Sequence, residues 1–412
     1  MSKKLNITEI FIDADLGSWG DIDGDGEKEQ IYATIFAIEA YKKGKRLWNK
    51  RLEAKKAPRE LPRTEERMLP ETRIGEIITK ISAIDLTNNG KDEILVGRAD
   101  GILGALDGRG KTLWAVDLGD YIRGFVCEDV NKDGKPEIVV ITGHGVVFLL
   151  NARGKKVWSR EYPREYAPND VCVGDINNDK RDEIVLAMKD GTLIIINNKG
   201  KVIKELHILR EPVTHIKILD FNQDDRNEII ACGEGGSLVI LDQDGVELER
   251  YSYNSRLINL SVFDVNNDGY PEIIAGDWEG ALKIINNQGI ITQREARREI
   301  EDDIDDDGQL EKIVRYWKKI IVTKGNKELW AEEYARWVSA IEVSDINGDG
   351  KKEILVGALD KVFRIYSVTG ELLWATRTLR SPFSILAEDI DDDNMREIII
   401  VGERELRIYK VQ

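Results

Sequence analysis

The chain has 412 residues, 33% of them charged, a formal net charge of −16, and only three cysteines and three histidines. That acidic balance argues against nucleic acid as a partner, because phosphate binding draws on clustered Lys and Arg that release counterions. No apolar run approaches the roughly 20 residues of a membrane helix, and the start, Met1 to Glu9, lacks the apolar core of a signal peptide, so no transmembrane segment and a cytoplasmic location are expected.

Leu5 to Ile12 alternates apolar and polar residues and predicts a strand. An acidic phrase follows at Asp21, of the form Asp-x-(Asp/Asn)-x-Asp-Gly-x-x-Glu, and then KKGKRLW, ending at Trp48, whose Gly predicts a hairpin turn. Residues 52–73 are rich in Pro, Lys, Arg and Glu and read as a basic insertion. The acidic phrase returns at Asp85, Asp129, Asp175, Asp220, Asp264, Asp303, Asp345 and Asp389, at intervals of 44, 46, 45, 44, 39, 42 and 44 residues. That period is the length of a propeller blade.

One unit, from Tyr334 to Thr376, shows the grammar. Trp337 to Val343 predicts a first strand ending in the acidic loop. Glu353 to Gly357 is the short apolar run of a strand buried on both faces, Val362 to Tyr366 a third strand, and Glu371 to Trp374 a fourth. Two-residue turns, Asp100-Gly101, Asp190-Gly191 and Glu279-Gly280, are expected between second and third strands. The last unit ends at Val411 without a fourth strand, which residues 1–12 are available to supply. The prediction is an all-β chain forming a single closed β-propeller over 1–412. It has four-stranded antiparallel blades, nine by count with eight as the alternative, and the insertion falls between blades 1 and 2. Trp48, Trp114, Trp158, Trp330 and Trp374 are expected to pack between blades.

Oxygen ligands at alternate positions of a tight loop suit Ca²⁺, a hard cation taking six to eight oxygens. The candidate ligands are Asp21, Asp23, Asp25 and Glu29; Asp129, Asn131, Asp133 and Glu137; Asp264, Asn266, Asp268 and Glu272; Asp303, Asp305, Asp307 and Glu311; Asp345, Asn347, Asp349 and Glu353; and Asp389, Asp391, Asp393 and Glu397. Three carboxylates about 4 Å apart repel by roughly 4 kcal/mol per pair at an effective dielectric near 20, which a cation relieves. The competing reading is that the carboxylates cap backbone N–H groups of the turn without metal. The loops at Asp85, Asp175 and Asp220 have lost charge or the Gly, with Lys180 and Asp225 in its place, and are expected to rely on hydrogen bonds.

The phrase DINGDGKKEILVG, residues 345–357, resembles the FG-GAP repeat of integrin α-subunit propellers and of intracellular relatives such as Bardet–Biedl complex subunits. The resemblance implies Ca²⁺ in the loop between the first two strands of a blade. The phrase ending in Leu-Trp is similar to one in quinoprotein and outer-membrane-assembly propellers, without their cofactor residues.

Strand order puts the acidic loops at one end of the blades and the second-to-third turns and blade links at the other. There Trp278, Tyr316, Trp317, Trp337, Arg256 and Arg298 are candidates for partner binding, since aromatics and Arg dominate interface hot spots. His144, His207 and His215 have no metal-binding spacing, and no nucleophile motif is present, so no enzyme activity is expected. The functional reading is a calcium-binding, non-catalytic scaffold for a protein partner, acidic partners included. The alternative is a carbohydrate-binding or glycan-processing propeller with a site at the channel mouth.

Overall fold

The computed structural model describes residues 5, 7–33, 37–43, 45–52, 77–266, 268–295, 297–391 and 396–411. Almost the whole of the basic insertion, and Asp393 of the last acidic loop, lie outside the described residues. Within them the regular structure is β throughout, apart from a single-turn 3-10 segment at Arg164–Tyr166.

The described strands form nine four-stranded antiparallel blades, with the pairing of Ala14 and Gly17 also linking the strand Ile7–Ala14 to the strand Gly17–Gly20. Blade 1 spans residues 17–51, blade 2 78–117, blade 3 122–161, blade 4 168–207 and blade 5 213–252; blade 6 spans 257–294, blade 7 299–333, blade 8 338–377, and blade 9 combines 382–411 with 7–14. In blade 9 the strand Ile7–Ala14 lies beside Glu405–Val411 as the fourth strand. Arg407 donates from Nη1 to Glu9 Oε2 at 2.9 Å across that join.

Blade 8 shows how the sequence dictates the sheet. Its strands are Val338–Ser344, Glu353–Ala358, Val362–Tyr366 and Leu372–Arg377, with Ser344 facing Glu353 and Ile354 facing Tyr366. The second strand is buried at every residue, which is why it reads as an uninterrupted apolar run behind its Glu. Outer strands such as Thr112–Asp117 alternate exposed and half-buried residues. The Lys, Arg and Glu that punctuate many of these outer strands discourage pairing with another chain.

The turns between second and third strands of blades 2, 4 and 6 are one residue longer than expected, whereas that of blade 9, Glu403-Arg404, has two residues. Blade 2 runs from Arg98 to Ile102 through Ala99, Asp100 and Gly101, with the Gly101 N–H on the Arg98 carbonyl at 3.2 Å and Gly101 at φ +86°. Such a three-residue hairpin ends in a left-handed residue, which keeps the flanking strands matched to their natural twist. In blade 8 Lys361 takes this place at φ +61°, so the sheet enforces the conformation even without Gly.

The chain divides into two compact units, residues 14–252 and residues 1–13 with 253–412. In the first, blades 1 to 5 stack in sequence order. Ile138, Val140 and Leu150 of blade 3 join Leu95, Leu103 and Ala105 of blade 2, while Val185 and Leu193 of blade 4 join Ile229 and Val239 of blade 5. A fully buried Ile or Leu contributes about 1.5–3 kcal/mol, so each such face is a substantial source of stability. In the second unit blade 7 packs on blade 8 and blade 8 on blade 9, and blade 6 lays Ile274, Leu282 and Ile284 against Leu386, Ile399 and Leu406 of blade 9.

The tryptophans bridge blades as the pattern implied. Indole Nε1 of Trp48, Trp114, Trp158 and Trp330 donates to the carbonyl of Gly108, Ala152, Asn198 and Val368, at 2.8, 3.1, 2.8 and 2.9 Å. Each acceptor lies in the hairpin between the third and fourth strands of the following blade. Trp374 instead packs edge-on to Tyr409 of blade 9 at 5.5 Å.

Candidate metal centres and aromatic face

The acidic loops share one hydrogen-bond scheme, set by the alternation of their side chains. The first Asp spans the turn: Asp129 accepts from the Asp133 N–H at 3.0 Å and from the Gly134 N–H at 2.8 Å. Asp264, Asp303 and Asp345 do the same to the fifth and sixth residues of their loops. The closing Glu reaches back seven residues, as Glu272 Oε2 accepts from the Val265 N–H at 2.9 Å and Glu353 Oε2 from the Ile346 N–H at 3.1 Å. These Asp and Glu side chains therefore hold the turn by capping donors that strand pairing leaves free. The degenerate loops keep the scheme, with Lys180 at φ +66° and Asp225 at φ +63° in the Gly position, their N–H groups on Asp175 and Asp220 at 2.7 and 2.9 Å.

Turn capping leaves over one oxygen of the closing Glu and one each of the third- and fifth-position side chains. In blades 1, 7 and 9 the acid oxygens lie within 4.8 Å of one another, grouping Asp21, Asp23 and Glu29; Asp303, Asp305 and Glu311; and Asp389, Asp391 and Glu397. A lysine from the end of the third strand enters each group. Lys42 Nζ lies 2.9 Å from Asp23, 2.6 Å from Asp25 and 2.9 Å from Glu29. Lys324 Nζ lies 3.3 Å from Asp305, 2.5 Å from Asp307 and 2.7 Å from Glu311, and Lys410 Nζ lies 2.8 Å from Asp391 and 3.3 Å from Glu397. Hydrogen bonds to Asp25 and to Asp307 hold the Lys42 and Lys324 ammonium groups well above their ordinary pKa, and the same bonds draw those two aspartates down.

The loops at Asp129, Asp264 and Asp345 have no such lysine. Asn131 and Asn347 donate from Nδ2 to Oε1 of Glu137 and Glu353 at 2.6 and 2.7 Å. In blade 6, Asn266 turns to Asp268 at 3.1 Å instead, and Glu272, fully buried, keeps an Oε1 with no hydrogen-bond partner. Glu137 Oε2 is likewise buried and without a partner. Burial first, with the loop aspartates adding, pushes Glu137 up to about 6 and Glu272 and Glu353 up to about 7. An orphaned buried carboxylate oxygen beside two further acids is a feature a divalent cation satisfies, so the oxygens of the loops at Asp129 and Asp264 fit Ca²⁺, and the loop at Asp345 offers the same donor set with both Glu353 oxygens hydrogen-bonded.

At the opposite end of the blades, in the unit holding blades 6 to 9, the predicted aromatics lie on turns and links and are exposed. Trp317 is 72% exposed and meets Trp337 edge-on at 4.8 Å, and Tyr316 stands beside them, 52% exposed. Trp278 stacks on Phe383 at 4.5 Å, a partner the sequence pattern did not single out, because it opens a strand of another blade. The main chain fixes the turns: the Trp278 N–H donates to the Arg256 carbonyl, Arg315 to Arg298, and Val338 to Trp317, at 2.9, 2.9 and 2.8 Å. Arg256 and Arg298 are exposed, and a groove between these turns is lined by Glu279, Arg297, Arg315, Ser339, Glu342 and Phe383. Burial, with the Arg298 charge nearby, lowers the Arg315 pKa.

Residues 129–186 match the model of the FG-GAP-like repeat family. Among curated proteins none matches the sequence. Solved structures with a similar fold include the Dos1 propeller, with TM-score 0.51 and 10% identity over 99% of this chain and 94% of that one. The C-terminal WD40 domain of Sif2 gives TM-score 0.51 and 12% identity over 98% of each chain, and BBS1N, solved in complex with ARL6DN, gives 0.46 and 11% over 81% and 92%. The repeated sheets and acidic turns are those of a β-propeller protein. The FG-GAP-like match runs from the acidic loop of blade 3 to the second strand of blade 4.

Proposed function

We propose that this protein is a calcium-binding, non-catalytic β-propeller that serves as a cytoplasmic scaffold for a protein partner. The carrying observation is the exposed aromatic cluster of Trp317, Trp337, Tyr316 and Trp278, rimmed by Arg256 and Arg298, at the blade ends away from the acidic loops. Large aromatics held on rigid turns supply contact area at little entropic cost, and Arg adds charge complementary to an acidic partner. Cys127, Cys172 and Cys232 are unpaired, in keeping with a reducing compartment. Among the described residues no helix is long and apolar enough to cross a membrane.

The test is affinity capture with the full chain and with Trp317→Ala/Trp337→Ala. A partner retained by wild type and lost by the variant at unchanged Tm supports the docking face; equal retention overturns it. For the metal, Ca²⁺ at the loops of Asp129, Asp264 and Asp345 stabilises the folded chain by mass action. Chelation is expected to lower Tm and added Ca²⁺ to restore it, and a Tm indifferent to both refutes calcium binding.

A further inference from the structure

Blades 1, 7 and 9 differ from the other six at two places that vary together. The third loop position is Asp23, Asp305 and Asp391 in these three, and Thr87, Asn131, Asn177, Asn222, Asn266 and Asn347 in the rest. Across the sheet, Lys324 and Lys410 stand opposite Glu311 and Glu397, and Lys42 follows Tyr41, which stands opposite Gln30, the residue after Glu29. The corresponding residue elsewhere is Asn151, opposite Glu137, and, one step beyond the last paired residue, Asp107, Asn197, Asp242, Asn286 and Ser367. Those six turn away to cap their own hairpins, as Asn151 does for the Arg153 and Lys155 N–H groups at 3.1 and 3.0 Å. The extra carboxylate occurs only where a lysine faces it.

We propose that Lys42, Lys324 and Lys410 are resident cations, and that the loops of blades 1, 7 and 9 are closed by ammonium where the loops of blades 3, 6 and 8 take Ca²⁺; the contrast rests on the calcium reading above. The geometry is specific. In blades 1 and 7 the ammonium hydrogen-bonds the third and fifth loop aspartates and pairs with the closing Glu oxygen at 2.9 and 2.7 Å, and these are the oxygens that turn capping leaves over. The side chains of Lys42 and Lys324 are 20% exposed and their Glu partners 0%, so each charge pair is shielded from screening by solvent. A divalent ion at the same point would sit within hydrogen-bond distance of a held positive charge. The lysine thus decides which turns of one repeat accept metal, and the densest acid clusters are the ones that refuse it.

The experiment counts Ca²⁺ bound to the full chain by titration calorimetry, with Tm measured in chelator alongside. Lys324→Met is expected to bind one Ca²⁺ more than wild type, and Lys42→Met/Lys324→Met/Lys410→Met three more. Lys324→Met should also melt lower than wild type in chelator and recover with Ca²⁺. Asp305→Asn/Lys324→Asn gives blade 7 the residue pair of blade 6 and should restore the wild-type Tm in chelator, which separates lost charge balance from general misfolding. Unchanged stoichiometry in folded Lys324→Met, or a double variant that melts no higher than Lys324→Met, overturns the proposal. Should wild type bind no Ca²⁺ while the lysine variants gain sites, calcium at blades 3, 6 and 8 fails and the lysine assignment stands.

Discussion

Glu183 closes a loop that has no Gly and no lysine facing it from the third strand, and its chemistry isolates what an uncompensated closing Glu does to stability. It is 3% exposed and accepts from the Ile176 N–H at 3.3 Å. Burial, with Asp179, Asp175 and Asp182 adding, raises its carboxyl from 4.5 to about 7. The folded chain therefore holds a proton there that the unfolded chain has lost, and stability falls as pH rises from about 4.5 to about 7, then levels off. Glu183→Gln keeps an acceptor for Ile176 and removes the titration. It should melt higher than wild type at pH 8 and no higher at pH 4.5, and a Tm gain independent of pH would show that packing, not charge, is responsible.

At the scale of the element, neighbouring blades are joined by a repeated Trp-on-turn contact. A Cβ at Gly154 would come within 2.6 Å of the Trp114 ring, and φ there is +75°. The Gly thus serves two needs at once, the left-handed turn and the close approach of the indole. Gly154→Ala should cost about 1–2 kcal/mol from backbone conformation, with the ring displacement added. Trp158→Phe removes the bond to Asn198 and should cost about 1 kcal/mol, whereas Trp158→Ala also opens the packing and should cost about 3 kcal/mol. Denaturant melts of the three variants check the order, and Trp158→Phe as damaging as Trp158→Ala would assign the effect to the hydrogen bond alone.

For the whole molecule, chain order and sheet order part company at the N-terminus. Residues 1–13 belong with 253–412, where Ile7–Ala14 completes blade 9 and Glu9 pairs with Arg407, a side chain only 5% exposed. Deleting residues 1–12 should leave Glu405–Val411 as an open edge with a buried guanidinium stripped of one carboxylate, and so lower Tm sharply in calorimetry. An unchanged melt would refute a structural role for this strand. The sequence by itself determined the strands, the blades and the turn-capping loops, because a period near 44 residues, an apolar second strand and an Asp spanning its own turn are local facts. Tertiary structure alone decided which loops a lysine enters. Lys324 lies 19, 17 and 13 residues from Asp305, Asp307 and Glu311 and meets them only when the third strand folds back, so six loops that read alike become two kinds. The exposed face divides in the same way: Trp317 and Trp337 were legible as surface aromatics, whereas Phe383 under Trp278 depends on packing between blades far apart in the chain.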